Sequence, residues 1–237
     1  EFVLSGEPVR CDCMKAKIYW KKVDDRRAAI EYKREYNRKM MLRKRYYLNS
    51  KMNKRLMEYN FENYMTNNDN RMAYEKSKRY AENFVKGDNK GSLFITGGVG
   101  TGKTHLAAAI ANKLIENDKI VLMERLTNLL DRIRETYENN TKSENELIEI
   151  YSNADMLIID DLGTEKISNW ALEKLYTIIQ NRYENGLPII ITTRFNKQGL
   201  IERFSYSKDP DLVDAIISKL YQMCFGIKLK SMKKELV

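Results

Sequence analysis

Residues 93–114 read LFITGGVGTGKTHLAAAIANKL, and four glycines fall within the six positions 97–102. An apolar run precedes them and a stretch of good helix formers follows, so the segment reads as strand, loop and helix. Gly97 through Thr104 fits the pattern G-x-x-x-x-G-K-[ST] in the setting that gives it meaning. Glycines let a backbone approach a phosphate closely and turn its N–H groups inward, and the N-terminus of the next helix adds a field that favours negative charge. On this reading Gly98, Val99, Gly100, Thr101 and Gly102 form a phosphate cradle. Lys103 reaches the β- and γ-phosphates of ATP, and the Thr104 hydroxyl ligates Mg²⁺. A flexible glycine turn alone would not account for the Lys-Thr pair. His105 sits in the first turn of the helix, where packing or a place beside the phosphates suits it better than catalysis.

On both sides of this segment the period of the apolar residues alternates between strand and helix. Residues 92–96, 120–123, 156–160, 188–193 and 225–229 read as strands, and 72–85, 105–116, 126–137, 169–185 and 212–223 as helices, with a further helix ending at Tyr151. Such alternation implies an α/β fold, a parallel five-stranded sheet flanked by helices. The run Met156-Leu157-Ile158-Ile159 ends in Asp160 and Asp161, at the C-terminal end of a strand, where parallel sheets bind ligands. Asp160 is the better Mg²⁺ partner. Asp161 is then placed to polarise an attacking water. In P-loop ATPases with an extra strand between the two motifs, that strand ends in a polar residue that orients water. Here the strand ending at Thr193 is followed by Arg194, Phe195 and Asn196.

The 237 residues carry a net charge of +9, and the excess is regional. Residues 15–55 hold 16 Lys or Arg against four acids, a local +12, so the rest of the chain sums to −3. With no Pro or Gly between Met14 and Tyr59, this stretch reads as a basic helical arm, one long helix or two in succession. It is either a solvated face or a surface for a polyanion or an acidic protein. Tyr19, Trp20, Tyr32, Tyr36, Tyr46 and Tyr47 could stack on bases, although helical tyrosines more often pack on their own domain. Cys11, Cys13 and Cys224 are too few for a disulfide framework, no apolar run would span a bilayer, and the first residues, EFVLSGEPVR, lack the basic-then-apolar layout of a secretory signal. A cytoplasmic location is the expectation.

The combination GGVGTGKTHLAAAIAN, LIIDDLGTEKISNW, NRYENGLPIIITT and IISKLYQMC resembles the AAA+ ATPases of the bacterial and phage replicative helicase loaders, the DnaC/DnaI type, with IstB-type transposition helpers as close cousins. The resemblance covers residues 61–226, and Phe61-Glu62-Asn63-Tyr64 is similar to the family's segment that runs near the nucleotide base. It implies domains at 14–60 (the basic arm, binding helicase or serving as linker) and 61–237 (the AAA+ ATPase). It also implies ATP and Mg²⁺ as cofactors, and as partners the replicative DNA helicase, single-stranded DNA and further copies of the chain in a ring or helix, with no membrane. The helix 126–137, with Arg125, Arg132 and Arg134, is the candidate DNA face.

Several positions depart from the family. It usually places Asn at the water-orienting position, where Arg194 stands. Its I-[SD]-R element, whose arginine completes a neighbouring subunit's site, reads Ile217-Ser218-Lys219 here, and an arginine often found four residues earlier is Ala215. Lysine keeps the charge but loses the planar fork that grips two oxygens. Arg194 and Lys219 are thus the remaining catalytic candidates, and slow turnover is expected. Arg10-Cys11-Asp12-Cys13 is similar to the second half of a zinc module, so residues 1–13 read as its remnant, with zinc expected only if the native chain extends upstream of residue 1. The alternatives to a loader are an IstB-like transposition helper and a nucleotide-sensing module with negligible hydrolysis.

Overall fold

The computed structural model describes residues 11, 13–49, 54–88, 91–138, 143–207 and 209–230, with side chains described at all of these except 35–36, 38–49, 54, 138 and 207. The chain divides into two compact units, Glu1–Arg45 and Tyr46–Val237. α1 (Met14–Asn49) is one continuous helix, most of it within the first unit. Its Tyr19 and Tyr32 are exposed, and Tyr19 meets Trp20 edge-on with ring centroids 5.4 Å apart. Tyr36, Tyr46 and Tyr47 fall outside the described side chains. Cys11 and Cys13 are exposed free thiols ahead of α1, while most of the expected zinc remnant, residues 1–10 and 12, lies outside the described residues.

The second unit runs α2 (Lys54–Met57), α3 (Arg71–Lys86), β1 (Ser92–Gly97), α4 (Lys103–Glu116), β2 (Val121–Arg125), α5 (Leu126–Glu138), α6 (Glu144–Asn153), β3 (Met156–Asp160), α7 (Asn169–Glu184), β4 (Ile189–Thr193), α8 (Lys197–Phe204), a 3₁₀ turn (Ser205–Ser207), α9 (Pro210–Met223) and β5 (Cys224–Leu229). Local chemistry sets several boundaries. Ser143 and Glu146 form a reciprocal capping box at the start of α6, Ser168 caps α7, and Asp209 accepts from Leu212 N–H while Pro210 opens α9. Each such cap satisfies amides that the helix itself leaves unpaired. α3 stops at Gly87, whose φ of +85° is the left-handed closure that glycine supplies. The α/β expectation holds, with element ends moved by one or two residues. α8 has no counterpart among the expected helices.

The five strands are all parallel, in the order β2-β3-β4-β1-β5. Register fixes which side chains share a face: Met123, Ile158, Ile190 and Leu93 lie in one row across the sheet. That row packs against Leu106, Ala107 and Ile110 of α4 and Tyr80, Ala81 and Phe84 of α3 in one apolar cluster. Each fully buried Leu or Ile there contributes about 1.5–3 kcal/mol. Strand alternation then dictates that Asp160, two residues beyond Ile158, and Thr192, two beyond Ile190, face the same side as α4. On the opposite side Phe94 meets Tyr221 of α9 at 5.2 Å, and α7 and α9 bury Leu175, Ile178, Ile216 and Leu220. Arg182, fully buried, donates to the carbonyls of Tyr151, Ser152 and Pro188, joining the end of α6 to the entry of β4. No helix among the described residues is long and apolar enough to cross a membrane.

Candidate nucleotide site

The loop between β1 and α4 combines conformational need with close packing. Gly100 and Gly102 adopt φ of +75° and +93°, and a Cβ on Gly102 would stand 2.7 Å from the Tyr64 hydroxyl. Gly102 provides no side chain to cap α4, so the first amides of that helix, which have no intrahelical acceptors, are not taken by a capping side chain. Lys103, 8% exposed, donates from Nζ to Gly98 O at 2.7 Å, and Thr101 Oγ1 donates to the same carbonyl at 2.9 Å. Val99 is exposed at the tip of the loop. Burial pulls the Lys103 ammonium below its ordinary value, with Arg194 adding to the shift and the Asp161 and Asp160 carboxylates opposing it.

Asp160 closes the other side of the site. Thr104 Oγ1 lies 2.9 and 3.0 Å from its two carboxylate oxygens, so the first turn of α4 and the end of β3 meet directly. A hydroxyl and a carboxylate side by side are the oxygen donors that a small hard dication takes, usually alongside substrate phosphates. The donor set therefore fits Mg²⁺ with a nucleotide, and a phosphate oxygen would replace the Gly98 carbonyl as the acceptor of Lys103.

The end of β4 grips the turn that follows β3. Thr192 Oγ1 donates to Asp160 Oδ1 at 2.6 Å and accepts from Asp161 N–H at 2.8 Å. Leu162 N–H donates to Thr192 O, and Thr193 Oγ1 donates to Leu162 O. Asp161 sits at φ of +56°, a conformation that only a few side chains, Asp among them, adopt readily. Its carboxylate pairs with Arg194, Nη2 to Oδ2 at 3.2 Å. Arg203 of α8 holds the same turn from behind, donating to the carbonyls of Gly163 and Thr164. Asn196, two residues beyond Arg194, accepts from Gly199 N–H and caps α8. It is thus committed to a helix terminus while Arg194 faces Asp161.

Residues 56–64 form a strap along α4. Asn112 Nδ2 donates to the carbonyls of Leu56 and Tyr59. His105 Nε2 lies 3.0 Å from both Asn60 O and Asn63 Oδ1; since both are acceptors, the ring proton resides on Nε2. The imidazole stacks on Tyr59 at 4.2 Å and meets Tyr64 edge-on at 5.0 Å. Burial holds it below its ordinary pKa of 6.5, a hydrogen bond to Asn60 opposing. Tyr64 then leans over the loop, its hydroxyl 3.5 Å from Thr101 O. His105 thus anchors the strap to the phosphate loop.

The structure brings Gly98 through His105, Asp160, Asp161 and Arg194 together, and it holds Lys219 elsewhere. Lys219 Nζ bonds Gln180 Oε1 and lies 4.5 Å from the Tyr183 ring, both on α7. Of the arginines at the candidate DNA face, Arg132 is turned inward to Glu124, which also accepts from the Tyr151 hydroxyl. Arg134 is exposed, over Trp170 at 4.8 Å, and Arg125 is exposed at the end of β2. A groove of about 910 Å³ adjoins the site, touched by Gly97, Gly98, Arg194, Phe195 and Tyr221. Sequence reasoning missed Thr192, Asn112 and Arg203. Only Thr192 left a signal, as one of two threonines ending an otherwise apolar strand.

The profile of the family described as IstB-like ATP binding protein matches residues 20–235. The replicative helicase loader DnaC of Escherichia coli strain K12 is 33% identical over 139 residues, 58% of this chain and 56% of the loader. The chain therefore matches a little over half the length of that relative. Among solved structures, that of the DnaC helicase loader superposes with a TM-score of 0.63 at 27% identity, covering 75% of this chain and 100% of that one. The structure of DnaI gives 0.62 at 25% identity, covering 76% and 95%.

Proposed function

Because the chain belongs to the IstB-like ATP binding protein family and carries the AAA+ P-loop fold of DnaC and DnaI, we propose that it is an ATP-binding helicase loader. In this role it engages the replicative DNA helicase and single-stranded DNA, and ATP binding with slow hydrolysis acts as the switch. The observation that carries the reading is the junction of Thr104 with Asp160 beside Lys103. It joins a phosphate cradle to a dication's oxygen donors in one place. The basic arm supplies the surface for the helicase, and copies of the chain assemble on it.

Bound nucleotide with Mg²⁺ would supply a phosphoanhydride and an electrophilic phosphorus. Lys103 and the α4 amides bind the phosphates, Thr104 and Asp160 hold the cation, and Asp161 orients the attacking water. Slow turnover is supported by two contacts: the Asp161 carboxylate is already paired with Arg194, and Lys219 is engaged within its own chain on Gln180 and Tyr183. The same contacts favour, as a second reading, a nucleotide sensor with negligible hydrolysis.

Affinity capture with the replicative helicase, followed by single-turnover hydrolysis with and without single-stranded DNA, tests the proposal. Stable helicase binding with slow but measurable turnover supports the loader. Helicase binding with no turnover selects the sensor, and no helicase binding overturns the loader in favour of a transposition helper.

A further inference from the structure

We propose that Thr192 is a positioning residue for the metal half of the site: it fixes which oxygen of Asp160 is presented to the cation and holds Asp161 in its turn. The inference rests on the reading of the Thr104–Asp160 junction as a Mg²⁺ site and assigns a role to a side chain outside the phosphate loop.

A threonine hydroxyl has one proton to donate and lone pairs to accept. Thr192 Oγ1 accepts from Asp161 N–H at 2.8 Å, and the carboxylate oxygen at 2.6 Å is an acceptor only. The hydroxyl proton is therefore committed to Asp160 Oδ1. Thr104, in contrast, lies almost equally far from both oxygens, so it does not choose between them. Thr192 does: with Oδ1 claimed, Oδ2 is the oxygen left to a cation. The carboxylate cannot rotate to exchange the two without breaking a short, buried hydrogen bond, since Thr192 is 0% exposed.

The second half of the role is backbone. Asp161 has a left-handed φ of +56°, and such conformations persist where surrounding contacts over-determine them. Thr192 provides two of those contacts, its hydroxyl taking Asp161 N–H and its carbonyl taking Leu162 N–H. One side chain on β4 thus couples the carboxylate at the end of β3 to the direction in which the next carboxylate leaves the turn.

The test compares Thr192→Val, which keeps the shape without the hydroxyl, with Thr192→Ser, which keeps the hydroxyl. The readout is binding of a fluorescent N-methylanthraniloyl ATP across a Mg²⁺ titration and in EDTA. Wild type and Thr192→Ser should tighten on the nucleotide as Mg²⁺ is added. Thr192→Val should lose about tenfold in apparent Mg²⁺ affinity, the scale of one hydrogen bond to a charged group, while its affinity in EDTA stays at the wild-type value. Retained binding in EDTA also reports that the variant is folded. If the valine variant does not fold, Thr192→Cys gives the same comparison with a similar volume and a weak S–H donor. Unchanged Mg²⁺ dependence in the hydroxyl-free variant, or a serine variant as defective as valine, overturns the role of Thr192. Failure of the wild type to bind nucleotide, or binding that ignores Mg²⁺, overturns the reading of the site itself.

Discussion

Replacing Arg194 with alanine should speed hydrolysis. In the structure its guanidinium lies 3.2 Å from Asp161 Oδ2, with the two side chains 40% and 27% exposed. A partly solvated pair of this kind is worth about 0.2–1 kcal/mol, and Asp161 must give it up to orient water. If that release lies on the path to the transition state, removing Arg194 lowers the barrier by the same amount. The rate then rises about 1.5- to 5-fold, at 1.36 kcal/mol per tenfold. The assay is single-turnover hydrolysis of labelled ATP with saturating Mg²⁺. Because an exposed pair is screened by ions, added salt should also raise the wild-type rate and leave the alanine variant unchanged. A fall of tenfold or more in Arg194→Ala would instead mean that the guanidinium stabilises the transferring phosphate and does not restrain Asp161.

Three further outcomes follow from the geometry. Gly102→Ala should weaken nucleotide binding about tenfold, because a left-handed alanine costs about 1–2 kcal/mol and its Cβ would meet the Tyr64 hydroxyl at 2.7 Å; equilibrium binding of a fluorescent ATP measures it. His105 is the sole histidine, and burial holds its folded pKa below 6.5, so its neutral form contributes stability that is complete above pH 6.5 and is lost as pH falls toward the folded value. The melting temperature of wild type should therefore drop more steeply below pH 6.5 than that of His105→Gln, and parallel curves would contradict the strap's anchoring. Arg134→Ala should weaken binding to oligo-dT and flatten its salt dependence, whereas Arg132→Ala, removing the cation paired with buried Glu124, should lower the melting temperature with little change in salt slope.

The alternating sheet was legible because the buried strands are continuous apolar runs and the helices between them carry their own period, as in Met156–Asp160 followed by Asn169–Glu184. α8 was not legible, since KQGLIERF buries only Leu200 and Phe204 and has a glycine inside it. The phosphate loop is local in sequence and so could be read whole. Its surroundings could not: Thr192 meets Asp160 across 32 positions, and Asn112 reaches Leu56 across 56. Arg132 and Arg134 lie on either flank of the apolar stripe of α5, and only the position of buried Glu124 on β2 decides which turns inward. Buried Arg182, near the end of a helix, reads in sequence as a solvated charge, since arginine is almost never fully buried without partners.

In the proposed loader, ATP occupancy switches what the chain holds. The most direct measurement is the affinity of the helicase-bound chain for single-stranded DNA with ATP, with ADP and with Lys103→Ala. The affinity should be at least about 5-fold tighter with ATP than with ADP, the lower range of allosteric coupling, with no difference between the two nucleotides for Lys103→Ala. Equal DNA affinities of the wild type in ATP and ADP would contradict the switch.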